Sequence, residues 1–100
     1  MFYILNQNKE TVPCDLDTWV RFFEKSDRFI VNDMINDRYV STVFLGIDHN
    51  YFGGTPILFE TMIFDKGSDF DCWCQRSCTY EEALLTHELA LNVAKGGEIE

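Results

Sequence analysis

Between residues 39 and 64, two long apolar, β-branched and aromatic stretches flank one polar, glycine-rich turn. That pattern predicts a strand–loop–strand unit. Residues 2–5 predict a short strand, followed by the turn Asn6-Gln7-Asn8-Lys9. A first helix is predicted from Asp15, an N-cap residue after Pro13, with Leu16, Trp19, Val20 and Phe23 at i, i+3, i+4 and i+7 as its apolar stripe. Arg21, Lys25 and Arg28 lie along another face and read as solvated. Residues 29–35 predict a strand, Asn36-Asp37 a turn, and residues 38–47 the returning strand. Residues 56–64 predict the next strand, residues 65–71 a polar loop, and residues 72–78 a weaker last strand.

Thr79-Tyr80-Glu81-Glu82 is a capping box opening a second helix. Its stripe is Ala83, Leu84, His87, Leu91 and Ala94, widened by Leu85 and Leu89, and Gly96-Gly97 ends it. The whole reads as one α+β domain: an antiparallel sheet of about four to five strands with two helices.

Strand parity adds a constraint. Tyr39, Val43, Leu45 and Ile47 face one way and Val40, Thr42 and Phe44 the other; Ile57, Phe59 and Ile63 likewise oppose Leu58, Met62 and Phe64. Both faces are apolar and both need cover. Two helices on opposite faces satisfy this, as do two helices on one face and a second subunit on the other. The second arrangement predicts a two-fold homodimer centred on Phe44, Met62 or the Leu85/Leu89 edge.

Composition supports a packed domain: nine of the 100 residues are Phe, enough aromatic bulk to argue against disorder. Charge changes the picture more. Seventeen acidic against eight basic residues give a net charge of −9. A basic nucleic-acid footprint is absent, so direct DNA or RNA binding is disfavoured. Acidity fits solubility, a basic protein partner or mimicry of a phosphate backbone, although the acids are spread along the chain rather than blocked. The N-terminal residues lack the basic region and apolar core of a signal peptide, and no apolar run approaches the roughly 20 residues of a membrane span. The expected compartment is the cytoplasm, with the four Cys reduced.

The loop Asp48, His49, Asn50, Tyr51, Phe52, Gly53, Gly54 is the one place where ionisable, aromatic and flexible residues concentrate. An imidazole beside a carboxylate can act as a general base, and Gly-Gly lets a ligand approach the backbone. The plainer reading is a turn in which Asp48 and Asn50 bond the loop backbone. Glu60 interrupts an apolar strand face and is expected either to pair with Arg38 or Arg76 or to sit in a pocket as a perturbed acid. His87 on the helix stripe reads as a hydrogen-bonded core histidine. Cys72, Cys74 and Cys78 would share one strand face, but C-x-C-x3-C lacks the paired knuckles of common zinc modules, so packing thiols are the simpler expectation. No P-loop, dinucleotide fingerprint, nucleophile elbow, zincin helix or EF-hand loop is present. No catalytic residue, metal ligand set or cofactor is assigned.

Ser41-Thr42-Val43-Phe44-Leu45-Gly46-Ile47-Asp48-His49-Asn50 and Tyr51-Phe52-Gly53-Gly54-Thr55-Pro56-Ile57-Leu58-Phe59-Glu60-Thr61-Met62-Ile63-Phe64 resemble a pattern, S-T-V-F-L-G-x-D-H-x-F-G-G-G-P-P-L-L-F-E-T-M-x-F, of small proteins of tailed phages and prophages. Trp19-Val20-Arg21-Phe22-Phe23-Glu24 and the run from Cys78 through Ala83 with His87 are similar to that group's two helix motifs. Tyr51 and Thr55 depart from it, and the cysteine-rich segment is particular to this chain. The resemblance implies a phage or prophage origin and the cytoplasm of a host bacterium, and no activity. The leading expectation is a phage accessory protein that binds a host protein, with anti-CRISPR-like inhibition of a defence system as its sharper form. The alternatives are a small-ligand, nucleotide-signal binder using residues 48–54, and a weak hydrolase or metalloprotein using Asp48, His49 and the Cys cluster.

Overall fold

The computed structural model describes residues 1–26, 28–50, 52–65 and 71–96, with the backbone alone at 71 and 72. The expectations placed on Tyr51, Gly97, residues 66–70 and the Cys72 side chain lie outside the described residues.

Strands β1 (Phe2–Leu5) and β2 (Thr11–Cys14) pair antiparallel. Asn6 closes their turn: its Oδ1 accepts from the backbone N–H of Asn8 at 2.9 Å and of Glu10 at 3.0 Å. Strand β2 was not expected, because Pro13 in a four-residue run removes a ladder donor. Helix α1 (Leu16–Lys25) follows, capped as expected by Asp15, whose Oδ1 accepts from Thr18 N–H at 2.8 Å.

Strands β3 (Phe29–Ile35), β4 (Arg38–Phe44), β5 (Phe59–Asp65) and β6 (Asp71–Ser77) form an antiparallel meander in that spatial order. Asn36 and Asp37 both have positive φ, 49° and 65°, the left-handed pair that a tight hairpin turn requires. β4 stops at Phe44 rather than at residue 47, and β5 starts at Phe59 rather than at 56. The cause is Gly46, whose φ of 73° turns the chain out of the ladder. Helix α2 (Tyr80–Gly96) opens on the expected capping box, with Glu82 N–H donating to Thr79 Oγ1 and Thr79 N–H to Glu82 Oε1, both at 3.1 Å.

The core lies between α2 and the sheet face made by Val40, Thr42, Phe44, Phe59, Thr61 and Ile63, all buried. That face is already full of large side chains, so the helix meets it through Ala83, Ala90 and Ala94, with Thr86 and His87 between them. Of the stripe expected for α2, Ala83, His87 and Ala94 are buried and Leu91 packs against the core, while the rest is corrected. Leu84, Leu85 and Leu89 point outward, Leu85 being 71% exposed, and the small residues carry the packing.

The stripe of α1 is corrected as well. Leu16 and Val20 are exposed, and Trp19, Phe22 and Phe23 make the contact. The helix runs beside β1 and the end of β4: Trp19 meets Phe2 at 5.1 Å between ring centroids, and Phe23 stacks on Phe44 at 6.0 Å. Both helices thus lie on the Phe44 side of the sheet. Phe44 is 1% exposed and cannot centre a dimer. The opposite face, with Tyr39, Val43, Met62 and Phe64, has no element of this chain against it among the described residues.

Gly46 seats α1. Its carbonyl accepts from Trp19 Nε1–H at 3.0 Å and from Tyr3 N–H at 2.8 Å. A Cβ there would sit 2.6 Å from the Phe23 ring and 2.7 Å from Trp19 Nε1, at a φ that L side chains rarely adopt. Gly46→Ala is expected to cost at least the roughly 1–3 kcal/mol typical of overpacking, with left-handed strain in addition. Chemical denaturation checks it: a shifted midpoint with an unchanged slope is the expected outcome.

Candidate functional site

The 48–54 loop is built by its own side chains. Asp48 Oδ1 accepts from the backbone N–H of Asn50 at 2.8 Å and of Ile57 at 3.0 Å. Asn50 Oδ1 accepts from Phe52 N–H at 3.2 Å, and Asn50 Nδ2 donates to the Thr55 carbonyl at 2.9 Å. His49 N–H donates to the Ile57 carbonyl at 3.0 Å and closes the base. Gly53 and Gly54, with φ of 84° and 94°, carry the chain through conformations that disfavour other residues. These bonds are the Asx turns that the residue types suggested.

Two consequences follow for chemistry. The bonds from Asn50 and Ile57 hold the Asp48 carboxyl below the usual carboxylate range. The N–H groups of Asn50, Phe52 and Ile57, which a phosphate would need, are already engaged by Asp48 and Asn50. What the loop offers outward is Phe52, at 101% relative exposure a fully presented aromatic ring.

Glu60 belongs to another surface. It sits on the uncovered sheet face and takes the Arg76 alternative, accepting from Arg76 Nε–H at 3.0 Å, while Arg38 pairs with Asp65 at 3.2 Å. Burial pushes the Cys14 and Cys78 thiols up from the ordinary value. No group of three His, Cys, Asp or Glu side chains converges on a metal-sized site among the described residues. A cleft of about 600 Å³ opens between the β1–β2 turn and the start of α2, with Lys9 over the Tyr80 ring at 5.7 Å. It contains none of the loop residues.

A polar chain runs through the core. His87 Nε2–H donates to Asp33 Oδ2 at 2.8 Å. His87 Nδ1 hydrogen-bonds the Thr42 hydroxyl at 2.7 Å, and Thr42 Oγ1 hydrogen-bonds Thr61 Oγ1 at 2.8 Å. The order carboxylate–imidazole–hydroxyl is that of a nucleophile with its base, but Thr42 and Thr61 are fully buried and no substrate atom reaches them. The chain instead pins α2 to three strands. His87 is the bonded core histidine that its place on the stripe indicated. Asp33 was missed; its signal was a carboxylate at the even step between Val31 and Ile35 in an otherwise apolar strand face.

Compared with protein-family models, curated proteins and solved structures, the chain matches none.

Two measurements test this geometry. Thr42→Val removes the hydrogen-bond partner of buried Nδ1 and is expected to cost about 1–3 kcal/mol, whereas Thr42→Ser, which keeps the hydroxyl, stays closer to wild type; urea unfolding reads both. For Asp48, a folded pKa below the unfolded value means that its contribution is present above about pH 4 and is lost as pH falls through the folded value. Amide protection factors at Asn50 and Ile57 are expected to fall on acidification through that window, and Asp48→Ala to lower them already at neutral pH.

Proposed function

We propose that the protein is a small phage accessory protein that acts by binding a protein of its bacterial host, with inhibition of a defence system as the sharper form. The observation that carries the reading is Phe52, a wholly exposed aromatic ring at the tip of a loop braced by Asp48 and Asn50. Exposing a large apolar ring has no benefit for folding, and bracing it lowers the entropy lost when it enters a partner's pocket. The N–H groups of Asn50, Phe52 and Ile57 serve the loop's own turns, which favours an apolar anchor over a phosphate cradle.

The net charge of −9 sets the partner's chemistry: an apolar pocket with a basic surround, approached under electrostatic steering. The absence of a basic footprint speaks against nucleic acid as the direct target. Among the described residues no helix is long and apolar enough to cross a membrane.

Affinity capture from bacterial lysates, including hosts with CRISPR systems, tests the reading with Phe52→Ala as the paired control. A reproducible partner that Phe52→Ala weakens by about thirtyfold, the effect of losing a hot-spot aromatic worth about 2 kcal/mol, is the expected result. The absence of any partner across hosts, or capture unaffected by Phe52→Ala, removes it.

A further inference from the structure

The uncovered face of the β3–β6 sheet carries large apolar side chains beside the polar residues Asn32, Ser41, Glu60 and Arg76. Phe29, Tyr39, Val43, Met62 and Phe64, with Ser41 and Glu60, line one shallow depression of about 310 Å³ on it, and Phe29 is 46% exposed. Tyr39 and Phe64 stack across β4 and β5 at 6.3 Å, forming a continuous apolar surface. Among the described side chains the face holds one carboxylate and one guanidinium, Glu60 and Arg76, paired across β5 and β6 at 3.0 Å.

We propose that this face is the self-association surface of the protein, occupied by a second copy of the same chain in a two-fold sheet-on-sheet dimer. Charge selects the occupant. The chain as a whole carries −9, and two such molecules repel almost everywhere. The described part of this face is neutral, so here two copies approach without that repulsion. A basic partner, by contrast, finds no unpaired carboxylate among those side chains, and an anionic surface finds no unpaired cation.

Shape and area agree. Four strands of seven residues make a face of about 19 by 23 Å, so two copies bury on the order of 900 Å² in projection and more as accessible surface. In projection that lies below the roughly 1,200 Å² of stable interfaces, in the range of weaker, reversible association. Aligned packing of two sheets about 10 Å apart leaves each copy's helices on the outside. The outward leucines of α2 are the competing interface, and they sit among Glu81, Glu82 and Glu88, where a second copy would bring like charges together.

Sedimentation equilibrium of the full chain across a range of micromolar concentrations tests the proposal. Wild type is expected at twice the single-chain 11.7 kDa, dissociating on dilution. Met62→Lys is expected at the single-chain mass with a wild-type circular dichroism spectrum. Should Met62→Lys fail to fold, Arg76→Glu serves instead: Arg76 is an exposed residue, and the change leaves two carboxylates on each face, weakening association at least tenfold. Leu85→Lys is expected to leave the dimer intact. A wild type that stays at 11.7 kDa throughout overturns the proposal, as does a dimer that Leu85→Lys dissociates and the sheet-face variants do not.

Discussion

The contact on which the rest of the structure depends is the close approach of α2 to the inner sheet face. Phe44, Phe59 and Ile63 fill that face, so the helix approaches it with the small residues Ala83, Ala90 and Ala94 at the centre of the contact. At that separation a buried polar group needs a partner in the facing strands, and His87 finds Thr42 on one side and Asp33 on the other. The hydrophobic term brings the layers together without direction; the imidazole fixes the register between helix and sheet, since its bonds demand particular positions on β3 and β4.

That packing sends strain and unused apolar surface elsewhere. Because alanines carry the centre of the helix–sheet contact, Leu84, Leu85 and Leu89 of α2 are turned outward. Because α1 is drawn to Gly46 and Phe44, it shares a side with α2 and leaves the far sheet face to solvent or to another molecule. Gly46 links the two regions of interest. It ends β4, receives α1, and directs the chain into the loop that presents Phe52. The loop is then held by short-range bonds from Asp48 and Asn50, so its conformation depends little on the core beneath it.

The sequence was most legible where the chemistry is local. Asp15, Thr79 and Glu82 cap their helices as their spacing indicated, Asn36-Asp37 turns β3 into β4, and Asp48 with Asn50 makes the turns that its residue types favour. Within β4 and β5, parity assigned residues to the two faces correctly, because side-chain alternation is a property of the strand alone. Glu60 illustrates the boundary. Its need for a partner was evident, yet Arg38 and Arg76 were equal candidates until register placed Arg76 directly across the ladder.

By itself, then, the amino-acid sequence determined the α+β class, the helix starts, the hairpin turn and the internal bonding of the 48–54 loop, each set by interactions within a few residues. It placed Ala83, His87 and Ala94 of α2 and Trp19 and Phe23 of α1 on the packed sides, but not the limits of those sides, since Leu16, Val20, Leu84, Leu85 and Leu89 are exposed. Hydrophobicity ranks Leu84, Leu85 and Leu89 above Ala83, Ala90 and Ala94, and only the volume already occupied by Phe44, Phe59 and Ile63 reverses that order. The β1–β2 pairing, the joining of Asp33 to His87 across 54 positions, and the choice of one sheet face for both helices were likewise decided by tertiary structure. Each is a long-range contact, whose partners the chain specifies only once the layers are in place.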